Sequence, residues 1–94
     1  MDYNEFHQSL SSAAPPASLS PYLLSLWYDA NGDWERSHTI IQEINNDTAS
    51  WIHAYLHRKE GDTANADYWY HRAGKRRPAL SLQQEWEEIV GSLL

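Results

Sequence analysis

The feature that most limits the fold is an internal repeat. The segments "LLSLWYDANGDWERSHTIIQEI" (23–44) and "WIHAYLHRKEGDTANADYWYHRA" (51–73) align when Gly32-Asp33 is set on Gly61-Asp62, an offset of 29 residues. Leu23 then falls on Ile52, Leu26 on Tyr55 and Trp27 on Leu56. Beyond the Gly-Asp pair, Ser37 falls on Ala66, Ile40 on Trp69, Ile41 on Tyr70 and Ile44 on Ala73. Apolar or small residues therefore meet at spacings near 3.6, the signature of one buried helix face. A glycine in the left-handed conformation ends a helix, and an aspartate after it caps the next one. Each copy reads as helix, tight turn, helix, with Ser37 and Ala66 small enough to let the paired helices approach closely.

The flanks carry their own signals. Ser20-Pro21 is an N-cap followed by proline at the first helical position. Asn45-Asn46-Asp47 breaks the chain between copies and offers the next cap. Ser81 with Gln84 forms a capping box, opening a last helix over about 82–93 whose Leu82, Trp86, Ile89, Val90 and Leu93 share a face. "GKRRPAL" (74–80) is the connection before it. "DYNEFHQSL" suits a short helix, and Pro15-Pro16 marks a linker after it. No stretch alternates as a strand would. The expectation is an all-α protein: residues 1–19 a short helix and proline-containing linker, residues 20–94 one helical-repeat domain of two degenerate hairpins closed by a C-terminal capping helix. Two repeats alone bury little, so the terminal segments are expected to cover the ends.

Composition removes several classes of function. The 94-residue chain has no cysteine, which excludes disulfides, thiol nucleophiles and cysteine-ligated metals. Its net charge of −6 opposes wholesale nucleic-acid binding. No apolar run reaches the length of a membrane span, and the N-terminus lacks the basic start and apolar run of a secretory signal. A cytoplasmic protein is expected.

The pattern of Gly-Asp followed by "ADYWYHRA" (66–73) resembles tetratricopeptide repeats and the related Sel-type repeats, which place a small residue early in the second helix and a Trp-Tyr pair along it. The period here is shorter, and the early Trp-Leu-Gly signature is missing. The resemblance implies paired helices and a binding role. More narrowly, "LWYDANGDWERSH" with "WIHAYLHRKEGDTANADYWYHRAG" resembles a family of small uncharacterised bacterial helical proteins, over roughly residues 23–94. That resemblance implies a bacterial protein and no particular activity.

Three sets of residues carry candidate chemistry. On a helix through residues 49–60, His53, His57 and Glu60 fall together on a flank beside the face of Ile52, Tyr55 and Leu56. Two histidines at i, i+4 can chelate one metal, with Glu60 or His38 as the third ligand. Glu35-x-x-His38 has the spacing used in carboxylate-bridged di-metal bundles, but it occurs once where that chemistry needs two. The H-E-x-x-H of zinc proteases is absent. The plainer reading makes these histidines packing or interface residues, with His57 and Glu60 paired at i, i+3.

Trp27, Tyr55, Trp69 and Tyr70 match core positions of the repeat. Trp34, Trp51 and Tyr68 lie nearer the edges, where tryptophan and tyrosine serve as interface anchors. Four of the seven cations, Arg72, Lys75, Arg76 and Arg77, cluster at the end of a predicted helix, where they complement its dipole. They are also a candidate anion or nucleic-acid contact with Tyr68 or Trp69 as stacking partner. No phosphate-binding glycine loop accompanies them.

Three functions follow. The first is a non-catalytic protein-interaction module without a cofactor, contacting a protein partner through Trp51, His53, His57 and Tyr68, with self-association left open. The second is a divalent transition-metal site, with a hydrolytic version, built on His38, His53, His57 and Glu60. The third is anion or nucleic-acid binding through Arg72, Lys75, Arg76 and Arg77.

Overall fold

The structure is a computed structural model that describes all 94 residues. Six helices follow one another: α1 Tyr3–Ser9, α2 Pro21–Ala30, α3 Trp34–Gln42, α4 Asp47–Lys59, α5 Thr63–Arg72 and α6 Leu82–Leu93. There is no strand, and no helix is long and apolar enough to cross a membrane.

The helix ends follow from local chemistry. Ser20 accepts from the Leu23 amide with Pro21 in the first turn, Asn46 accepts from the Ala49 amide, and Ser81 and Gln84 complete their capping box. The two repeat turns match bond for bond. Gly32 and Gly61 hold φ of 83° and 89°, in the left-handed region where a Cβ is penalised. The next amides turn back to the helix, Asp33 to the Tyr28 carbonyl and Asp62 to the His57 carbonyl, both at 2.9 Å. Asp33 and Asp62 then cap α3 and α5 through the Arg36 and Asn65 amides.

Packing follows the repeat as well. α2 packs on α3 and α4 on α5, while α3 against α4 makes the seam between the two pairs. Close approach within each pair uses small residues at matching positions. Ser25 faces Ser37, their hydroxyls 2.8 Å apart, where the second pair has fully buried Ala54 and Ala66. The core joins Leu26, Ile41, Ile52 and Leu56 to Trp86, Ile89 and Val90 of α6.

The N-terminal segment packs on the helical domain: Phe6 of α1 is fully buried in the main core, its ring 6.1 Å from that of Trp86. Trp27 reaches the same helix through its indole N–H, which donates to the Ser9 hydroxyl. Trp69, expected in the core, is only half-buried, with its ring stacked on that of His53.

Two buried carboxylates tie the layers together. Asp29 accepts from the Tyr55 hydroxyl at 3.1 Å and from Lys59 at 3.0 Å. Glu85, on the inward face of α6, accepts from Arg58 at 2.9 Å, from the Tyr70 hydroxyl at 2.7 and 2.8 Å, and from the Trp51 indole at 3.2 Å. Burial and the adjacent Glu85 push the Tyr70 hydroxyl far above its ordinary pKa, so it stays a donor.

Candidate metal centre

The seam between α3 and α4 brings together three of the four residues expected to hold a metal. His38 projects from α3, and His53 and His57 project one turn apart from α4. One nitrogen from each ring lies within 4.8 Å of the others, and the Nε2 atoms of His38 and His53 are 3.0 Å apart. An ion about 2.0–2.1 Å from each of three imidazole nitrogens in tetrahedral geometry sets them roughly 3.3 Å from one another.

The cluster occurs once although the unit repeats. The positions equivalent to His53 and His57 in the first copy are Leu24 and Tyr28, and Asp67 stands where His38 would repeat. Two stacked helix pairs have only one seam, and the histidines are placed where α3 of one copy meets α4 of the next.

Each ring is held by its surroundings. The Trp34 indole stacks on His38 with ring centres 4.8 Å apart, and Trp69 stacks on His53 at 3.9 Å. Trp34 is itself tied across the seam, its indole N–H donating to the Leu56 carbonyl at 2.9 Å. On His57, Nδ1 lies 3.2 Å from Glu60 Oε2, and Nε2 lies 3.4 Å from the Asn65 amide nitrogen. A proton on Nδ1 donated to the carboxylate leaves the Nε2 lone pair for an acceptor role or a metal.

Glu60, weighed as a direct ligand, therefore stands behind His57 rather than beside the other two rings. Glu60, Asp62 and His57 form a second close group, but both carboxylates are exposed and Asp62 is already the cap of α5. Glu35 is exposed and takes no part in the histidine cluster.

The electrostatics favour the neutral form at His53 and His38. Burial, followed by the neighbouring His38 and His57, lowers the pKa of His53 to about 4. Burial and then His57 lower that of His38, against smaller opposing effects of Glu60 and Glu35. Neutral imidazole is the metal-binding form.

The same shift sets a pH dependence. The unfolded chain takes up a proton at His53 near pH 6.5, the folded chain only near pH 4. Stability is therefore full above pH 6.5, falls as pH drops through that window, and reaches its low plateau below about 4. Between pH 7 and pH 5 the loss from His53 is about 2 kcal/mol. Urea midpoints at the two pH values should differ accordingly, and His53→Gln should flatten the difference. A profile as steep in the variant as in the parent would remove His53 as the cause.

The other expected sites fare differently. The contact set of Trp51, His53, His57 and Tyr68 is not one surface. His53 and His57 are each 7 % exposed, Trp51 is half-buried with its N–H on Glu85, and Tyr68 alone is open at 54 %. In the basic cluster, Arg72 donates to Asn45 and to the Tyr68 hydroxyl, Lys75 lies 4.0 Å over the Trp51 ring, and Arg77 pairs with Asp67 at 3.5 Å. None of the molecule's cavities is lined by His38, His53 or His57.

Of two further neighbours of the centre, Asn65 carries no sequence signal of its own and Trp69 matches a core position of the repeat. Asn65 lies three residues beyond the α5 cap, so its side chain returns toward the end of α4. Trp69 was assigned to the core from the repeat alignment. Its place one turn after Asn65 on the same helix is the signal that both face α4. No family model, curated protein or solved structure matches the chain.

Proposed function

We propose that this protein binds one divalent transition-metal ion between His38, His53 and His57, and that the ion acts as a clamp between its two helix pairs rather than as a catalyst. The convergence of three imidazole nitrogens within 4.8 Å carries this reading. An all-nitrogen set of this kind suits zinc, nickel and copper, whereas magnesium and calcium require oxygen ligands. Glu60 serves as the carboxylate that orients His57, a role such partners hold at many metal sites. Because His38 comes from one pair and His53 and His57 from the other, the free energy of binding adds to the docking of the two pairs.

The direct test is stoichiometry. Untagged protein dialysed against zinc and then against metal-free buffer should retain one equivalent by elemental analysis. His53→Ala and His57→Ala should each retain well under half of that, while Glu60→Gln should keep the ion with affinity lowered about tenfold or more. No retained metal in the parent chain, or equal retention in the histidine variants, would remove the proposal.

A further inference from the structure

A second feature lies away from the histidines and does not depend on the metal reading. The segment after α5 is pinned at both ends. Gly74 takes φ of 72°, and the Lys75 amide returns to the Tyr70 carbonyl at 2.9 Å, the same helix ending as in the two repeat turns. At the far end Arg58 donates to the Leu80 carbonyl. The basic residues between these anchors therefore stand on fixed backbone.

This segment divides two adjoining hollows. One, of about 390 Å3, lies against α5 and is lined by His71, Lys75, Arg76 and Arg77 together with Asp67 and Tyr70. The other, of about 210 Å3, lies toward α6 and includes Trp51 and Pro78. Lys75 and Arg76 border both, so the two form one trough with a basic ridge. Arg72, Lys75 and Arg76 form no ion pair with any carboxylate, although the chain carries thirteen acidic residues against seven Lys and Arg. Arg72 instead lies 5.1 Å over Trp69 and Lys75 lies over Trp51, placements that limit where these long chains move. Exposed Tyr68 stands beside Arg72.

We infer that this trough is a docking surface for a short acidic peptide segment of a partner protein. Charge complementarity selects the class: unpaired cations on an otherwise acidic molecule favour a carboxylate-bearing segment. The trough also offers Pro78 and the edge of half-buried Trp51 to an apolar side chain between the carboxylates. A continuous run of nucleic-acid phosphates fits less well. Asp67 stands in one hollow and Glu85 and Glu88 in the other, and these with the net charge of −6 oppose a long polyanion more than a short segment with few charges.

The test is fluorescence anisotropy with a labelled Glu-Glu-Phe-Asp-Glu peptide at physiological ionic strength. It runs beside the Gln-Gln-Phe-Asn-Gln peptide and a labelled single-stranded oligonucleotide. The acidic peptide should bind about tenfold or more tightly than its neutral twin. Lys75→Ala and Arg76→Ala should each weaken it about fivefold or more, and Arg36→Ala, an exposed cation on α3, should leave it unchanged. Equal binding of the two peptides, an equal loss from Arg36→Ala, or tighter binding of the oligonucleotide would overturn the inference. All three substitutions are of exposed residues, so folding does not obscure the result.

Discussion

Replacing Arg58 by alanine should cost about 3–5 kcal/mol of folding stability, the range found when one partner of a buried ion pair is removed. The guanidinium donates to Glu85 at 2.9 Å and to the Leu80 carbonyl, and the Glu85 side chain is only 1 % exposed. Without Arg58 the carboxylate keeps its hydrogen bonds from Tyr70 and Trp51 but loses its counter-charge, and water reaches it poorly. Arg58 itself is 18 % exposed, so some screening places the expected loss toward the lower end of the range. For a domain whose whole stability is about 5–15 kcal/mol, that is a large share.

The measurement is the urea midpoint, with an unchanged slope showing that only stability has moved. Glu85→Gln should cost less than Arg58→Ala, because it keeps an acceptor for Tyr70 and leaves no buried charge without a partner. A loss below about 1 kcal/mol for Arg58→Ala would mean that the node behaves as a surface ion pair.

The node also shows which parts of this fold are written locally and which are not. Helix starts and stops were legible because they depend on neighbours in sequence. Ser20-Pro21, Gly32-Asp33, Gly61-Asp62 and the Ser81–Gln84 box all act where their chemistry places them. The repeat offset carried further, since Ser37 and Ala66 are both fully buried at the close approach of their helix pairs.

Glu85 was not legible as a core residue, although it sits in the stripe of Leu82, Trp86 and Ile89 where a carboxylate is out of place. Its partners Arg58, Tyr70 and Trp51 come from α4 and α5, and no local pattern joins them. Phe6 is the same case: a short helix before a proline linker gives no sign that its one phenylalanine completes the core beneath Trp86. The histidines fall between these limits. The helical wheel placed His53 and His57 on a flank of α4, and the i, i+3 pairing of His57 with Glu60 is present. That the flank is a buried seam facing His38 depends on how the two pairs stack, which the spacing within α4 does not contain.

That seam leads to the second large effect. Zinc at about a hundredfold excess over its dissociation constant should stabilise the protein by about 2.7 kcal/mol through mass action alone. In a domain of this size each kcal/mol moves the midpoint of thermal unfolding by about 4–8 °C, so Tm should rise by roughly 10–20 °C. The readout is the difference between metal-loaded and metal-free samples of the same chain. It therefore survives whatever His53→Ala costs through lost stacking on Trp69. In the His53→Ala/His57→Ala double variant the difference should vanish. At pH 5 it should shrink in the parent chain, because protons compete with the ion for the same nitrogens. Amide exchange should slow on both sides of the seam, in α3 as well as α4, since the ligands come from both. Stabilisation with protection confined to α4 would mean that His38 takes no part and that the ion is held by one helix alone, and the clamp would then have to be given up.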